Sequence, residues 1–356
     1  MGGQKGIACF YEYFSKLLPV TIITTKNNEF PAQQDAHFLP LLSNSRTRYI
    51  NPFLFFVLRR VIRKKKITHL ILEHPYYGWL GILLKWFCNI KLVVHSHNIE
   101  ATRFRSNGKW WWPVLFQYEK FTHRRADINF FITDIDREFA IQNFKLAPGS
   151  CHAITYGFDL KQPPTPKQRM EAKMSLILMH GIKASEKILF FNGTLDYKPN
   201  LDAVDFILQE INPRLLKKDA FEYKVIICGK NLPVNYDELK AYQSKNIIYA
   251  GFVSDISTYF MGADIFINPV IDGGGIKTKL IEALGSNLSC ISTKSGATGV
   301  NKEITGNKLQ ILADGDWETF TNTIFEANTA DDIPNSFFDY FYWGNITARA
   351  ARILNP

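Results

Sequence analysis

Asn268-Pro269-Val270-Ile271-Asp272-Gly273-Gly274-Gly275-Ile276-Lys277-Thr278-Lys279-Leu280-Ile281-Glu282-Ala283 is the stretch on which the reading of this chain turns. The apolar run Ile265-Phe266-Ile267 leads into it, three glycines follow Asp272, and a helical pattern then begins. Glycines let backbone N–H groups come close to an anion, and a helix N-terminus adds a favourable dipole. Lys277 and Lys279 put positive charge at the same place. Glu282 falls about one and a half turns into the helix, within reach of a ligand at its start. A carboxylate there can accept from two adjacent hydroxyls, as on a ribose. Gly273, Gly274, Gly275 and Ile276, with Lys277, Lys279 and Glu282, therefore predict a site for a nucleoside diphosphate. The plainer alternative is a tight strand-to-helix turn with a solvated basic face. Three consecutive glycines exceed what such a turn requires.

Outward from this stretch, short apolar runs alternate with longer amphipathic segments. The first half offers strands at Val20–Thr24, His69–Leu72, Leu92–His95, Ile128–Ile132 and His152–Thr155. Helical patterns lie near 6–18, 51–65, 76–88, 111–125 and 134–144. The second half offers strands at Ile188–Phe191, Val225–Cys228, Ile247–Tyr249, Ile265–Ile267 and Cys290–Ser292. Its helical patterns lie near 199–217, 235–243, 256–262, 277–285 and 316–327. Near-continuous apolar strands separated by helices predict parallel sheets covered on both faces. Pro163-Pro164-Thr165-Pro166 and the charged residues after it read as a linker over 161–186. The expectation is two doubly wound α/β domains facing across a cleft: residues 1–160, then 187–336, with 337–356 as a closing helix. A doubly wound domain normally opens on a strand, whereas Gly2-Gly3-Gln4-Lys5-Gly6 stands at the start of this chain. A missing first strand is therefore expected.

At 356 residues the length suits two domains. With 46% hydrophobic and 21% charged residues the chain can bury a core. No run of about 18 uncharged apolar residues is present, so a spanning helix is not expected. Five scattered cysteines without a Cys-x-x-Cys pair argue against a disulfide framework or zinc cluster and fit a reducing cytoplasm. The net charge is +9, but residues 1–160 hold 21 Lys and Arg against 11 Asp and Glu, so the whole excess lies there. Its densest part is Arg59, Arg60, Arg63, Lys64, Lys65 and Lys66, after the apolar Pro52–Leu58. That pattern suits a buried helix with a basic last turn, or a helix lying against anionic headgroups. Nucleic acid is not expected, because no zinc-finger, RNP or helix-turn-helix pattern accompanies the run. Trp110-Trp111-Trp112, beside Arg103, Arg105 and Lys109, is open to packing, carbohydrate or membrane-interface readings.

The glycine-lysine stretch resembles the donor site of GT-B glycosyltransferases, in particular glycosyltransferase family 4. Gly273, Gly275, Lys277 and Lys279 before Glu282 are similar to a branch with Gly-x-Gly-x-Arg/Lys-x-Lys ahead of the Glu. The first Glu of the commoner pattern falls on Gly274. Asn192-Gly193-Thr194-Leu195-Asp196-Tyr197-Lys198 resembles the first loop of the family's C-terminal domain. Thr194 stands where that family often has a phosphate-binding Arg, and Lys198 is the remaining base nearby. Gly229-Lys230, Gly251-Phe252-Val253, Ser295–Gly299 and Phe341-Tyr342-Trp343 resemble further family segments, and Gly3 stands in what resembles a glycine loop near the sugar phosphate.

What this resemblance implies is a hexosyltransferase-type enzyme that moves a sugar from a nucleotide-sugar donor to a hydroxyl of a lipid-linked or polysaccharide-type acceptor, with retention. It implies no metal and no cofactor, the nucleotide-sugar being substrate. His95-Ser96-His97-Asn98-Ile99-Glu100 ends a strand, where doubly wound domains place ligands. The family commonly has a His there facing the donor, and His97 matches it, with His95 as fallback. Glu73-His74-Pro75 is a candidate for lining the acceptor side. Peripheral membrane contact would come through the basic first domain, at the inner face of a membrane. The alternative is a non-catalytic GT-B-like nucleotide-binding or scaffold protein. A dinucleotide-dependent dehydrogenase fits the alternation but lacks Gly-x-Gly-x-x-Gly after a strand.

Overall fold

A computed structural model describes residues 2–28 and 36–355. The chain divides into two units, Met1–Gly157 with Trp343–Pro356, and Phe158–Tyr342, each with its own parallel sheet.

The first unit opens with helix α1 (Gly2–Phe14) and a parallel pair, β1 (Thr21–Thr25) and β2 (His37–Leu42). Its main sheet runs β3-β4-β5-β6, from β3 (His69–Glu73), β4 (Lys91–Ser96), β5 (Ile128–Phe131) and β6 (Cys151–Ala153). All neighbours are parallel, so each step needs a crossover. Helices α2 (Phe53–Lys65), α3 (Gly78–Cys88), α4 (Glu100–Ser106), α5 (Trp112–Arg125) and α6 (Asp134–Phe144) fall between the strands. Leu92, Val93 and Val94 of β4 are fully buried, which is why that strand reads apolar without alternation. The register pairs Glu73 with His95, bringing the carboxyl ends of β3 and β4 level.

Gly2-Gly3 and Lys5-Gly6 lie in α1 and not in a loop after a strand. The amphipathic run behind them buries Phe10 and Phe14 and carries the glycines into its first turns. A Cβ at Gly6 would meet the Tyr156 ring at 2.9 Å, so this glycine permits close packing.

The second unit's sheet runs β12-β11-β10-β7-β8-β9 and is parallel throughout. The strands are β7 (Lys187–Asn192), β8 (Tyr223–Cys228), β9 (Ile247–Gly251), β10 (Ile265–Asn268), β11 (Ser289–Thr293) and β12 (Leu309–Leu312). Its helices include α7 (Pro166–His180) and α8 (Lys198–Phe206), which passes through a π turn into α9 (Asn212–Leu215). Then come α10 (Ile256–Gly262) and α11 (Thr278–Gly285). From β7 the order departs one way to β8 and the other way to β10. The carboxyl ends of β7 and β10 therefore flank the topological switch point, where such sheets bind ligands.

The linker expected over 161–186 is largely helix. Thr165 caps α7 through Gln168, with Pro166 in its first turn, so the proline cluster is a helix start. Arg169 then donates to the carbonyls of Met261, Ala263 and Asn287, fastening α7 to the second unit. The helix Asn335–Phe341 also belongs to that unit, while Trp343–Leu354 belongs to the first, where Trp343 packs on Tyr156 at 5.3 Å. β2 and β12, which the sequence did not signal, have one neighbour each, and β2 carries Pro40.

Candidate active site

In the first unit the ends of β3 and β4 gather three imidazoles and two carboxylates. Glu73 Oε2 lies 2.6 Å from His97 Nε2, and Glu73 Oε1 lies 3.1 Å from His95 Nδ1. Tyr11 donates its hydroxyl to Glu73 Oε1 at 2.7 Å. Burial alone would raise the Glu73 pKa, but the charge and hydrogen bonds of His95 and His97 hold it well below the usual carboxylate range. The His97 ring lies between those of His95 (4.6 Å) and His74 (4.8 Å), tilted against both. His74 has φ +70, a strained conformation for a residue with a Cβ. It faces Glu100 Oε1 at 3.4 Å. The buried Glu100 also accepts from Tyr76 (2.6 Å) and Arg103 Nε (3.0 Å). Burial pushes its pKa up, yet these partners bring it down to about 2.

Below them, Glu119 accepts from the backbone N–H groups of Glu100 and Ala101 and so caps α4. Burial pushes Glu119 up to about 7.

In the second unit the glycine loop follows β10 at the switch point. Gly273 (φ +92) and Gly275 (φ +71) adopt conformations that side chains rarely allow. A Cβ on Gly273 would stand 3.0 Å from the Tyr197 hydroxyl and 3.3 Å from Pro199, so the loop is pressed against the segment after β7. Lys277 folds back over the loop, donating to Gly273 O, and to Gly275 O at 3.4 Å. Lys279 donates to Asn192 O (3.1 Å) and Asn200 Oδ1 (3.0 Å), and its ammonium sits 4.1 Å from the Phe191 ring centroid. Burial lowers the Lys277 pKa to about 8. Burial, and then repulsion from Lys277, lowers that of Lys279 to about 7. Among the described residues neither lysine makes an ion pair. Ile276 lies in the loop and Glu282 is partly exposed on α11.

Lys198 is turned elsewhere. It is largely exposed and pairs with Asp202 at 2.6 Å, which raises its pKa. Gly3 is in α1. Sequence reasoning did not identify Tyr11 or Asn200, and it assigned Glu73 to the acceptor side. The register that sets Glu73 level with His95 is a property of the folded sheet, so the sequence held no signal for their pairing.

Glu73, His95 and His97 offer three ligand atoms within 4.8 Å of one another, a spacing open to a divalent cation. In the structure the carboxylate takes hydrogen bonds from both imidazoles, while His95 Nε2 is buried without a hydrogen-bond partner among the described residues. Two Asp-x-Asp triplets are spent on local structure. Asp134 pairs with Arg137 and Asp136 bonds Thr133 at the start of α6. Asp316 caps the helix Trp317–Glu326, and Asp314 accepts from Ser295.

Two family descriptions match the chain: Glycosyltransferase Family 4 over residues 2–162 and Glycosyl transferases group 1 over 186–327. An uncharacterized 44.6 kDa protein in the cps region of Klebsiella pneumoniae is 27% identical over 293 residues, 78% of this chain and 68% of that protein. A glycosyltransferase from Rickettsia africae superposes with a TM-score of 0.74 at 15% identity, covering 99% of this chain and 96% of its own. Anabaena Alr3699/HepE, in complex with UDP and glucose, superposes with 0.69 at 13% identity, over 98% and 95%. With Glycosyltransferase Family 4 matched over the first half and Glycosyl transferases group 1 over the second, and with the fold of these structures, the chain is a glycosyltransferase of GT-B fold.

Proposed function

We propose that the protein transfers a sugar from a nucleotide-sugar donor to a hydroxyl of a lipid-linked or polysaccharide-type acceptor, with retention of configuration. One observation carries the donor half of this reading. Lys277 and Lys279 stand at the switch point with lowered pKa values and without an ion pair among the described residues. A diphosphate would supply the missing negative charge, and the loop amides of Gly273, Gly274, Gly275 and Ile276 would add donors. Glu282 would hold the ribose hydroxyls. The UDP and glucose held by the Anabaena protein support a nucleotide-sugar as donor.

Charge builds on the diphosphate as it leaves, and preorganised amides and ammonium groups aimed there stabilise the transition state. Protein cations would do this neutralising, so the reaction needs no metal or cofactor. Glu73 engages His97 Nε2, which leaves Nδ1 for substrate. In its protonated form Nδ1 can donate to the sugar or its leaving group. The acceptor would be served by the basic first unit, in the cytoplasm at the inner face of a membrane. No helix among the described residues is long and apolar enough to cross one.

The test pairs calorimetry of nucleoside diphosphates with a thermal-shift screen of nucleotide sugars and a transfer assay. Lys279→Met and Glu282→Ala should each weaken nucleotide binding at least about tenfold. Unchanged binding in both would end the donor assignment, and binding without hydrolysis or transfer would end the catalytic one.

A further inference from the structure

We propose that the outer face of α2 and the end of α3 dock onto an anionic lipid bilayer. This deepens the membrane contact in the reading above by naming its surface and its partner. α2 is held by one face only: Leu54 and Ile62 are buried in a cluster with Leu80 and Leu84 of α3. The opposite face follows helical spacing through positions 53, 56, 57, 60, 63 and 64. In its first half that face carries Phe53 (73% exposed), Phe56 (64%) and Val57 (40%). In its second half it carries Arg60, Arg63 and Lys64, all exposed. A helix packed on a soluble domain turns polar residues outward over its whole length, and this one does so over half.

The apolar half is not isolated. Phe55 joins Phe56 and Phe87 at 5.4 and 5.5 Å between ring centroids. Trp86 and Phe87, at the end of α3, are each 58% exposed. Arg125 lies over both Trp86 and the exposed Phe121, extending the patch to α5. Single exposed apolar residues are ordinary, but contiguous aromatic ones mark a contact surface.

Charge selects the partner. Among the described residues Arg60, Arg63, Lys64, Lys65 and Lys66 make no ion pair. The first unit holds 23 Lys and Arg against 10 Asp and Glu. A second copy would bring like charge to this face. An anionic bilayer offers headgroups to the cations and acyl chains to the rings, with the helix lying in the interface plane.

The experiment mixes the full chain with vesicles of phosphatidylcholine alone, or with about 30 mol % phosphatidylglycerol, and follows cosedimentation and tryptophan emission. The protein should bind the anionic vesicles only, with blue-shifted emission, and release at about 0.5 M salt. Phe53→Ser with Phe56→Ser should lower partitioning about tenfold. Arg60→Gln, Arg63→Gln and Lys64→Gln together should lower it roughly 100-fold. Circular dichroism and melting temperature check that both variants fold, and nucleotide calorimetry on them separates this proposal from the donor reading. No binding to anionic vesicles, or equal binding by the folded variants, overturns the proposal. So does a patch variant that instead turns a dimer into a monomer, or that loses binding to a single-stranded oligonucleotide while vesicles are ignored.

Discussion

His97 Nε2 lies 2.6 Å from Glu73 Oε2, and the same carboxylate reaches His95 through its other oxygen at 3.1 Å. One side chain from the end of β3 thus sets the orientation of two imidazoles at the end of β4. Orientation of this kind decides which ring nitrogen is left for a substrate.

Replacing His97 with Ala should cut turnover about 100-fold or more, with nucleotide affinity within a factor of about two. Glu73→Gln keeps the shape but removes the charge, and should lower turnover about tenfold with a shifted pH–rate profile. Steady-state kinetics with parallel calorimetry reads both. A drop in affinity equal to the drop in turnover would place His97 in binding alone.

Glu100 links acid stability to the same corner. Its pKa is about 2 in the fold against 4.5 ordinarily, so folding favours the ionised form. The contribution is fully present above about pH 4.5 and is lost as pH falls toward 2. Its size at neutral pH is about 3 kcal/mol. Glu100→Gln should therefore narrow its deficit against the parent protein in urea titrations as pH drops below 4.5. A deficit constant from pH 7 to pH 3 would refute the linkage.

The lysines make donor binding depend on pH in the other direction. Lys279 and Lys277 lose protons near 7 and 8, and a bound diphosphate needs both charged. Affinity for a nucleoside diphosphate should fall between about pH 7 and 9, approaching tenfold per unit for each lysine that must be reprotonated. Lys279→Met should flatten the lower part of that curve. Calorimetry across this range would show a flat profile in the parent protein if the lysines do not meet the ligand.

Gly273 is the position where one methyl group should tell most. At φ +92, with Tyr197 3.0 Å from the added carbon, Gly273→Ala forces the loop to move. The cost to stability should be about 1–3 kcal/mol, with a larger proportional loss of nucleotide binding. Gly274→Ala is the control within the same loop. Equal effects at both positions would mean that the backbone of Gly273 is not special.

Chelation is the remaining check. Transfer should survive excess EDTA, because lysines and amides are assigned the neutralising role. Loss of activity on chelation, with recovery on adding a divalent cation, would turn attention to Glu73, His95 and His97 as ligands.

The apolar runs Leu92–His95 and Ile188–Phe191 announced parallel strands because both of their faces are buried. β2 and β12 gave no such signal, since β2 is interrupted by Pro40 and β12 has only four residues, one of them Gln310. The proline cluster at 163–166 reads as a break in structure, yet Thr165, Pro166 and Gln168 carry a local helix-start pattern. Where that helix docks depends on Arg169 finding the carbonyls of residues 261, 263 and 287, far away in sequence.

At the sites the same division holds. Sequence alone fixed the glycine loop, its two lysines and the pair of histidines at a strand end, because loop flexibility, charge and strand-end position follow from local residue type and spacing. Tertiary structure alone decided that Glu73 clamps both histidines, that Asn200 receives Lys279 and that Lys198 turns to Asp202. Those partners come from different strands and helices. Only sheet register and helix packing bring such groups within the roughly 3 Å at which a hydrogen bond exists.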